Sequence, residues 1–396
     1  MRMPIFLVPG LGGTRLKECN STRLVWLNAP LYLDCTSKLI KILDVVYDPK
    51  EKTFESKNAV KPDREMGDLR AIANISDPPT DICSQFDAMI RYFEKISGYI
   101  PGENIFGVPY DWRLILDGEY WAHFTKQLIQ LIEKQQDYCP TIKCIFIAMS
   151  MGGLVMTKFL SERDSEWKKN HVAKLITIGT PFGGSPRACL SLCGGVEDIT
   201  GLDNYFIKDL FRNCAGSYMC QPNKNCFPNL KIVRNLKEKD YRVDEIETVF
   251  EEEEFDTKTV RTIFRDTYSG VVNLMDNGPG PEVEVHCIVG SSKDTVIAIN
   301  YAKPKCPRQI TEDDYYQENF PEDDCLPPHG DGVVPFCSAT YWCNKKYSDG
   351  TPYIKTLKVF KGDEYLHSEL PKKTEVVQYI TTLLDISSIE DLLSKC

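Results

Sequence analysis

The stretch around Ser150 constrains the fold more than any other part of the sequence. An apolar run at 144–147 precedes it and a helix-compatible run at 154–160 follows it, so the local order is strand, sharp turn, helix. Gly152 is small enough for this turn to close tightly, and Ala148 stands where such turns usually have glycine. A serine at this turn is lifted out of the sheet, which makes Ser150 the candidate nucleophile. A buried serine in an ordinary strand-to-helix corner is the alternative.

Further apolar runs repeat this alternation of strand and helix. Strands are predicted at residues 5–8, 174–181, 283–289 and 354–360. Helical spacing of apolar residues over 121–132 precedes the strand that leads to Ser150. Repeated alternation favours a mostly parallel sheet covered by helices on both faces, which is an α/β fold. The chain has 396 residues, a length that α/β folds with insertions reach as one unit, so we expect a single domain over 1–396.

Composition and charge exclude two classes of protein. Hydrophobic residues make up 42% of the chain and charged residues 26%, as in globular proteins, and no apolar stretch approaches the roughly 20 residues that span a bilayer. An integral membrane protein is therefore not expected. The net charge of −10 supplies no broad cationic surface for phosphates, so nucleic acid is not an expected partner.

The sixteen cysteines favour disulfides over metal binding. None forms the paired Cys-x-x-Cys pattern with nearby histidines that marks a zinc site. Acceptor patterns for glycosylation begin at Asn20 and Asn74, and together these features favour an oxidising, secretory compartment. The first residues run directly into the strand at 5–8, which is too short for the core of a signal peptide. We expect either that a leader has been removed or that the localisation is unusual.

A nucleophilic serine needs a base and a third group that orients this base. In the α/β-hydrolase arrangement the chain order is nucleophile, acid, base, and the base follows a late strand. His367 fits best because it follows the predicted strand at 354–360, and His329 is the alternative. Structural roles are expected for the three remaining histidines, His123, His171 and His286.

Asp331 is the candidate acid because it lies between Ser150 and His367 in a tight Gly-Asp-Gly turn. The alternative is an ordinary surface turn, since this tripeptide is common turn chemistry. The oxyanion of acyl transfer needs preorganised N–H donors. We expect the backbone N–H of Met151, directly after the nucleophile, and that of Leu11, in the glycine-rich loop after the first strand, to supply them.

Several motifs, taken in order, resemble the lecithin:cholesterol acyltransferase family, which includes lysosomal phospholipase A and the phospholipid:diacylglycerol acyltransferases. They are PIFLVPGLGG at 4–13, PYDWR at 109–113, the serine turn, GTPFGGS at 179–185, GDGVVP at 330–335 and His367. The PYDWR motif is especially specific. The resemblance implies an α/β-hydrolase fold, a triad of Ser150, Asp331 and His367, and oxyanion donors at Leu11 and Met151. Met149 departs from the family, which has a histidine there.

The resemblance also implies two segments inserted between strands of the α/β-hydrolase domain. One is a membrane-binding excursion at 19–35, closed by a Cys19–Cys35 disulfide, and the other is a cysteine-rich lid or cap at about 186–260. Residues expected to bind the acyl chain or the lipid surface are Trp26, Leu27, Leu31, Tyr32 and Leu33. A buried satellite cluster is the alternative for Trp26 and its neighbours. A second family disulfide is implied between Cys287 and Cys343, and Cys306 with Cys325 is a further candidate pair by proximity in the chain.

The implied activity is that of a lipid acyl esterase or O-acyltransferase. Such an enzyme cleaves a glycerophospholipid acyl ester through an acyl-enzyme, needs no metal or organic cofactor, and passes the acyl group to water or to a lipid alcohol such as a sterol or a glyceride. Its expected partners are a phospholipid membrane or lipoprotein surface, and its expected location is secreted or lysosomal. Two alternatives remain open, an esterase of small soluble esters and a hydrolase-fold binding module without turnover.

Overall fold

The structure is a computed structural model, and it describes residues 2–28, 38–76, 78–81, 83–193, 204–236, 238–251, 258–300, 315–316 and 329–384. Six residues named above lie outside these ranges: Leu31, Tyr32, Leu33, Cys35, Cys306 and Cys325. Within the described ranges, every helix is too short or too polar to cross a membrane.

A six-stranded, fully parallel sheet forms the centre of the molecule. Its strands are β1 (Ile5–Val8), β2 (Ile105–Gly107), β3 (Cys144–Met149), β4 (Val172–Ile178), β5 (Glu284–Ser291) and β6 (Thr356–Lys361). Their order across the sheet is β6-β5-β4-β3-β1-β2, so the chain starts near one edge and crosses to the other after β3. The carboxyl ends of all six strands therefore lie along one edge of the sheet.

Both faces of this sheet are buried, as the continuous apolar strands predict. In β1, Phe6 and Val8 face one core while Ile5 and Leu7 face the other, and all four side chains are fully buried. Four long helices contribute to these cores: α1 (Asp87–Ser97), α2 (Gly118–Tyr138), α3 (Met151–Ser161) and α4 (Thr374–Leu383). Helices α1 and α4 pack on the face of Ile5, and α2 and α3 pack on the face of Phe6.

Helix α2 shows how the local sequence builds these layers. It begins after Asp117, whose carboxylate accepts a hydrogen bond from the Tyr120 N–H at 2.8 Å and so satisfies one of the free donors of the first turn. Apolar residues then recur every three or four positions, and Trp121, Phe124 and Leu128 are buried against the sheet. The helix predicted over 121–132 is therefore present and is longer than predicted, by three residues at its start and six at its end.

Further elements surround the sheet. Short strands run over Leu16–Glu18, Leu24–Trp26, Val45–Asp48, Thr53–Ser56, Val60–Pro62, Lys231–Leu236, Lys239–Arg242, Lys293–Asp294, Ala298–Asn300, Tyr315–Tyr316 and His329–Gly330. Further helices run over 38–43, Arg70–Ala73, Ser165–His171, Pro186–Cys193, Asn204–Arg212, Ala215–Met219, Ile246–Val249, Lys258–Asp276 and Phe336–Ala339, with 3-10 turns at Val243–Glu245, Tyr341–Asn344 and Leu370–Lys372. Most of these elements fall between β1 and β2 or between β4 and β5, on either side of the site described next.

Candidate active site

Ser150 occupies the sharp turn between β3 and α3. Its backbone has φ 53° and ψ −129°, a conformation that L-residues rarely adopt and that the surrounding structure must hold in place. The Ser150 N–H donates to the carbonyl of Ile178 at 2.8 Å, which ties the turn to β4. A Cβ at Gly152 would lie 2.5 Å from the Pro9 carbonyl oxygen, so only glycine fits two residues after the serine. Ala148 is fully buried in β3, where a methyl group is accommodated.

The structure brings the three predicted residues together. The Nε2 atom of His367 lies 2.8 Å from the Oγ atom of Ser150, and its Nδ1 atom lies 2.7 Å from the Oδ2 atom of Asp331. The His367 N–H also donates to the backbone carbonyl of Asp331 at 2.8 Å. A second contact between the base and the acid therefore fixes the loop after β6, and the imidazole is oriented by its neighbours before any substrate binds.

Asp331 is 2% exposed, so the surface-turn interpretation of its Gly-Asp-Gly motif is wrong. Its Oδ1 atom accepts hydrogen bonds from the backbone N–H groups of Val333 at 3.1 Å and Val334 at 2.8 Å. The turn thus satisfies one carboxylate oxygen itself and leaves Oδ2 for His367. A buried carboxylate with this many charge-assisted bonds is well positioned to orient an imidazole.

Gly179, at the end of β4, makes room for this pair. Its φ is +57°, and a Cβ there would lie 3.0 Å from the Oδ2 atom of Asp331 and 3.0 Å from the Nδ1 atom of His367. A larger residue would meet both partners of the hydrogen bond and would adopt an unfavourable backbone conformation. The strand predicted at 174–181 runs over Val172–Ile178 and ends directly before this glycine. Gly179 is the first residue of the GTPFGGS motif, and no local pattern indicates that it makes room for the Asp331–His367 pair.

The other histidines take no part in this arrangement. His329, the alternative base, is exposed on a two-residue strand. His286 lies within β5, where its ring contacts Thr356 and Glu284 at 2.7 Å each. Burial lowers the pKa of His286, although Glu284 opposes this effect. Its role is structural, as predicted.

The glycine-rich loop after β1 lies against the serine. A Cβ at Gly10 would lie 2.9 Å from the Cβ atom and 3.3 Å from the Oγ atom of Ser150. Leu11 follows directly and lines the same cavity. Met151 is the first residue of α3, where N–H groups have no partner within the helix. These positions are consistent with the expected oxyanion donors, whose role stays a prediction.

Tyr110 of the PYDWR motif holds this glycine-rich loop in place. The hydroxyl of Tyr110 donates to the carbonyl of Pro9 at 2.7 Å, and the side chain is fully buried. Burial raises the pKa of Tyr110, so its hydroxyl remains a hydrogen-bond donor at any physiological pH. The motif therefore supports the residue two positions before Leu11.

The charged residues of the motif form a fully buried ion pair. The Arg113 guanidinium contacts the Asp111 carboxylate at 2.6 Å through Nη2 and at 3.0 Å through Nε, and neither side chain is more than 1% exposed. Arg113 also donates to the carbonyls of Leu43 at 2.8 Å and Val60 at 3.2 Å. The pair thus connects the loop before α2 with the segment between β1 and β2.

We expect Arg113→Met to lower the free energy of unfolding by about 3–5 kcal/mol, because it leaves the Asp111 carboxylate buried and unpaired. Urea denaturation followed by circular dichroism measures this loss. The double variant Asp111→Leu with Arg113→Met is the control, since it removes the isolated charge and should recover part of the loss. A cost below about 1 kcal/mol for the single variant would show that the pair does not act as described.

A cavity of about 190 Å³ opens beside Ser150, with mostly apolar walls. Residues that line it include Leu11, Trp26, Met149, Phe211, Cys220, Val333, Val334 and His367. Trp26 is only 2% exposed, and its indole N–H donates to the carbonyl of Gly12 at 2.7 Å. Its ring meets that of Trp112 edge-on at 5.2 Å. Trp26 therefore forms a wall of the cavity and is almost fully buried.

The helix Ala215–Met219 covers the same region. The N–H groups of Ala215 and Gly216 donate to the carbonyls of Arg113 at 2.9 Å and Trp112 at 3.1 Å. A Cβ at Gly216 would lie 2.7 Å from the Cδ1 atom of Leu11. This part of the predicted cap is therefore closely packed over the loop that contains Leu11.

Comparison with known proteins gives the family. A family model described as lecithin:cholesterol acyltransferase matches residues 22–277, which is more than half of the chain. The chain belongs to the lecithin:cholesterol acyltransferase family. This confirms the resemblance identified from the motifs, and it confirms that the chain is an enzyme of this type.

Three members of the lecithin:cholesterol acyltransferase family illustrate the similarity. The "Lysosomal phospholipase A and acyltransferase" of Rattus norvegicus is 23% identical, over 83% of this chain and 78% of that protein. The "Lecithin-cholesterol acyltransferase-like 1" of Arabidopsis thaliana is 21% identical, over 95% and 90%. The "Phosphatidylcholine-sterol acyltransferase" of Mus musculus is 28% identical, over 74% and 68%.

A solved structure supports the fold. The crystal structure of the Tle4-Tli4 complex contains a chain that is 13% identical to this one, with a TM-score of 0.60 and coverage of 97% and 98% of the two chains. Together with the parallel sheet and its two helical layers, this likeness confirms the predicted α/β-hydrolase fold. The predicted division into one domain with two insertions stays a prediction.

Met149 is the departure from the lecithin:cholesterol acyltransferase family pattern noted above. It is the last residue of β3, is 5% exposed and lines the cavity beside Ser150. The family's histidine at this position would add a polar group, whereas methionine extends the apolar wall.

Leu27, another predicted lipid contact, is 6% exposed, and its backbone N–H donates to the carbonyl of Ile75 at 2.8 Å.

The implied disulfides of the family stay predictions. Cys287 and Cys343 are separate thiols in this structure. Burial and, to a smaller extent, the nearby Cys343 raise the pKa of Cys287 to about 12. Cys19 is an exposed thiol, and its implied partner Cys35 lies outside the described residues, as do Cys306 and Cys325.

Proposed function

We propose that this protein is a serine-dependent lipid acyl esterase and O-acyltransferase that acts on glycerophospholipids. The observation that carries the proposal is the pair of hydrogen bonds that join Asp331 to His367 at 2.7 Å and His367 to Ser150 at 2.8 Å, with His367 and Ser150 lining an apolar cavity. The names of relatives support the substrate class, since they are phospholipase A, acyltransferase and phosphatidylcholine-sterol acyltransferase enzymes.

In the first half-reaction, the Oγ atom of Ser150 attacks the carbonyl carbon of the acyl ester. His367 Nε2 removes the serine proton while its Nδ1–H donates to Asp331, which stabilises the imidazolium. The backbone N–H groups of Leu11 and Met151 stabilise the tetrahedral oxyanion. The intermediate then collapses, the lysophospholipid alkoxide receives the proton from Nε2, and the acyl group remains bonded to Ser150.

In the second half-reaction, an alcohol or water takes the place of the lysophospholipid. His367 removes its proton, the new oxygen attacks the acyl carbon, and Ser150 leaves with the proton restored. Because the cavity walls are mostly apolar, a lipid alcohol can lie beside the acyl group and compete with water. Labelled phospholipid with a sterol, a diacylglycerol or no added alcohol identifies the acceptor from the labelled product.

Substrate reaches this cavity from a membrane or lipoprotein surface in our proposal. The excursion at 19–35 and the cap at about 186–260 form the entrance; Leu31, Tyr32 and Leu33 of the excursion bind the lipid surface, while Trp26 contacts the acyl chain at the cavity wall. The cysteine content and the lysosomal name of the rat relative support a secreted or lysosomal location.

A fluorophosphonate probe and two substrates test the proposal. The probe should label Ser150, identified by mass spectrometry of the modified peptide, and the enzyme should release fatty acid faster from phospholipid vesicles than from a short soluble ester. Absence of labelling would instead favour a binding module, and a preference for the soluble ester would favour a small-molecule esterase.

Trp26→Phe gives a test of the acyl site. The substitution shortens a cavity wall and removes the N–H donor to Gly12, so we expect kcat/KM on long-chain phospholipid to fall about 10-fold, with a change below about 2-fold on a short ester. Trp121→Phe is the control, because Trp121 is buried on α2 and its N–H donates to Glu162. Equal losses on both esters would contradict a role in binding the chain.

A further inference from the structure

Two cysteines meet between the cap region and the turn that contains Asp331. Cys226 follows the helix Ala215–Met219, and Cys337 lies six residues after Asp331 in the helix Phe336–Ala339. Cys226 and Ser338, the residue after Cys337, both approach Gly183. A Cβ on this glycine would lie 2.3 Å from the Sγ atom of Cys226 and 3.1 Å from the Cα atom of Ser338, the chain neighbour of Cys337.

Backbone hydrogen bonds hold these two segments against the same glycine. The Gly183 N–H donates to the carbonyl of Ser338 at 3.2 Å, and the Gly183 carbonyl accepts from the Asn223 N–H at 2.8 Å. The N–H and the carbonyl of Gly183 therefore each bind one of the two segments, which brings the two cysteines close together.

Asp276 joins the segments a second time. Its carboxylate accepts from the Asn225 amide at 2.6 Å and from the Tyr341 hydroxyl at 2.8 Å. Asn225 is next to Cys226, and Tyr341 is four residues after Cys337. The cysteines thus lie between two sets of hydrogen bonds that fix their separation.

Each of the two thiols affects the ionisation of the other. The interaction with Cys337 raises the pKa of Cys226, and the interaction with Cys226 lowers the pKa of Cys337, so Cys337 is the better thiolate. Both residues are partly exposed, which gives an oxidant access. Cys189 and Cys193 are also neighbours, but they are 0% and 2% exposed.

We propose that Cys226 and Cys337 form a disulfide that links the cap region to the turn of Asp331. The oxidant is a disulfide of the oxidising compartment, such as oxidised glutathione. The Cys337 thiolate attacks one of its sulfurs and displaces the other as a thiolate, and the Cys226 thiolate then attacks the Cys337 sulfur and displaces the second. Two electrons pass to the oxidant, and the two protons of the cysteines are released.

The link would fix two walls of the cavity relative to each other. Cys220 lines the cavity shortly before Cys226, and Val333 and Val334 line it shortly before Cys337. The disulfide would also close a loop on the order of 100 residues, which restricts the unfolded chain strongly. It would therefore stabilise the turn that positions Asp331 without contacting the reacting atoms.

Thiol counting tests this pairing and needs no enzymatic activity. Protein that has been expressed in an oxidising compartment is denatured without reduction and alkylated with a maleimide. Mass spectrometry then gives the number of free thiols from the mass added. Cys226→Ala and Cys337→Ala should each show one thiol more than the wild type, because each frees the partner, and the double variant should show the wild-type number. Cys144→Ala, a buried thiol on β3, should show one thiol fewer.

One thiol fewer in each single variant, and two fewer in the double variant, would overturn the pairing. If a variant fails to fold, a peptide linking Cys226 to Cys337 in non-reduced wild-type digests gives the same answer, and its absence overturns the proposal. The double variant should also unfold about 5 °C or more below the oxidised wild type, and reduction should remove this difference.

Discussion

Ser150→Ala should lower the release of fatty acid from phospholipid vesicles by about 10⁴-fold or more, because it removes the atom that forms the acyl bond. The fold should persist. The hydrogen bond from the residue 150 N–H to Ile178 does not involve the side chain, and alanine has the same backbone requirement as serine at φ 53°. Radiolabelled vesicles measure the loss, and thermal unfolding measures the fold.

Ser191→Ala is the matched control for this variant. Its hydroxyl also lines the cavity, but it donates to the carbonyl of Ala188 at 2.8 Å and has no contact with His367. Its activity should stay within about 3-fold of the wild type. If Ser150→Ala kept a tenth of the activity, Ser150 would not be the nucleophile.

The sequence predicted the central part of this site because few geometric choices were open. In a parallel sheet the carboxyl ends of the strands meet along one edge, so residues that follow β3 and β6 lie close together in space. Ser150 and His367 are such residues. The glycines beside Asp331 indicated a tight turn, and the position of Asp331 between Ser150 and His367 in the chain identified it as the candidate acid.

Other parts depended on contacts that no local pattern contains. No local pattern predicted β2, which has only three residues and is defined by the pairing of Ile105 and Phe106 with β1. PYDWR identified the family, yet its function as a support follows from bonds to Pro9, Leu43 and Val60, which are far away in the chain.

The position of Trp26 also could not be predicted from a local pattern. Apolar residues between two cysteines fit a lipid-facing excursion and a buried cluster equally well, because hydrophobicity alone does not say which partner covers a side chain. The structure packs Trp26 on Trp112 and against Gly12, at the wall of the cavity. Its indole therefore lines the cavity beside Ser150. The sequence alone could not show whether this side chain faces the cavity, the core or a lipid surface.

Asp331→Asn should lower kcat/KM on phospholipid by about 10³- to 10⁴-fold with little change in stability. The amide oxygen can still accept from the Val333 and Val334 N–H groups, so the NH₂ group takes the place of Oδ2 beside His367. This donor favours the tautomer with the proton on Nε2. Such an imidazole cannot accept the proton of Ser150, although all heavy atoms keep their positions.

Three measurements separate this effect from simple loss of structure. The asparagine variant should keep the wild-type unfolding temperature within a few degrees, while its labelling by a fluorophosphonate slows in parallel with kcat/KM, because both reactions need the serine proton removed. Asp363→Asn is the control, since Asp363 is exposed on the same loop as His367. Turnover within 10-fold of the wild type would mean that another group orients the base, whereas slow labelling in a stable protein would assign that role to the Oδ2 atom of Asp331.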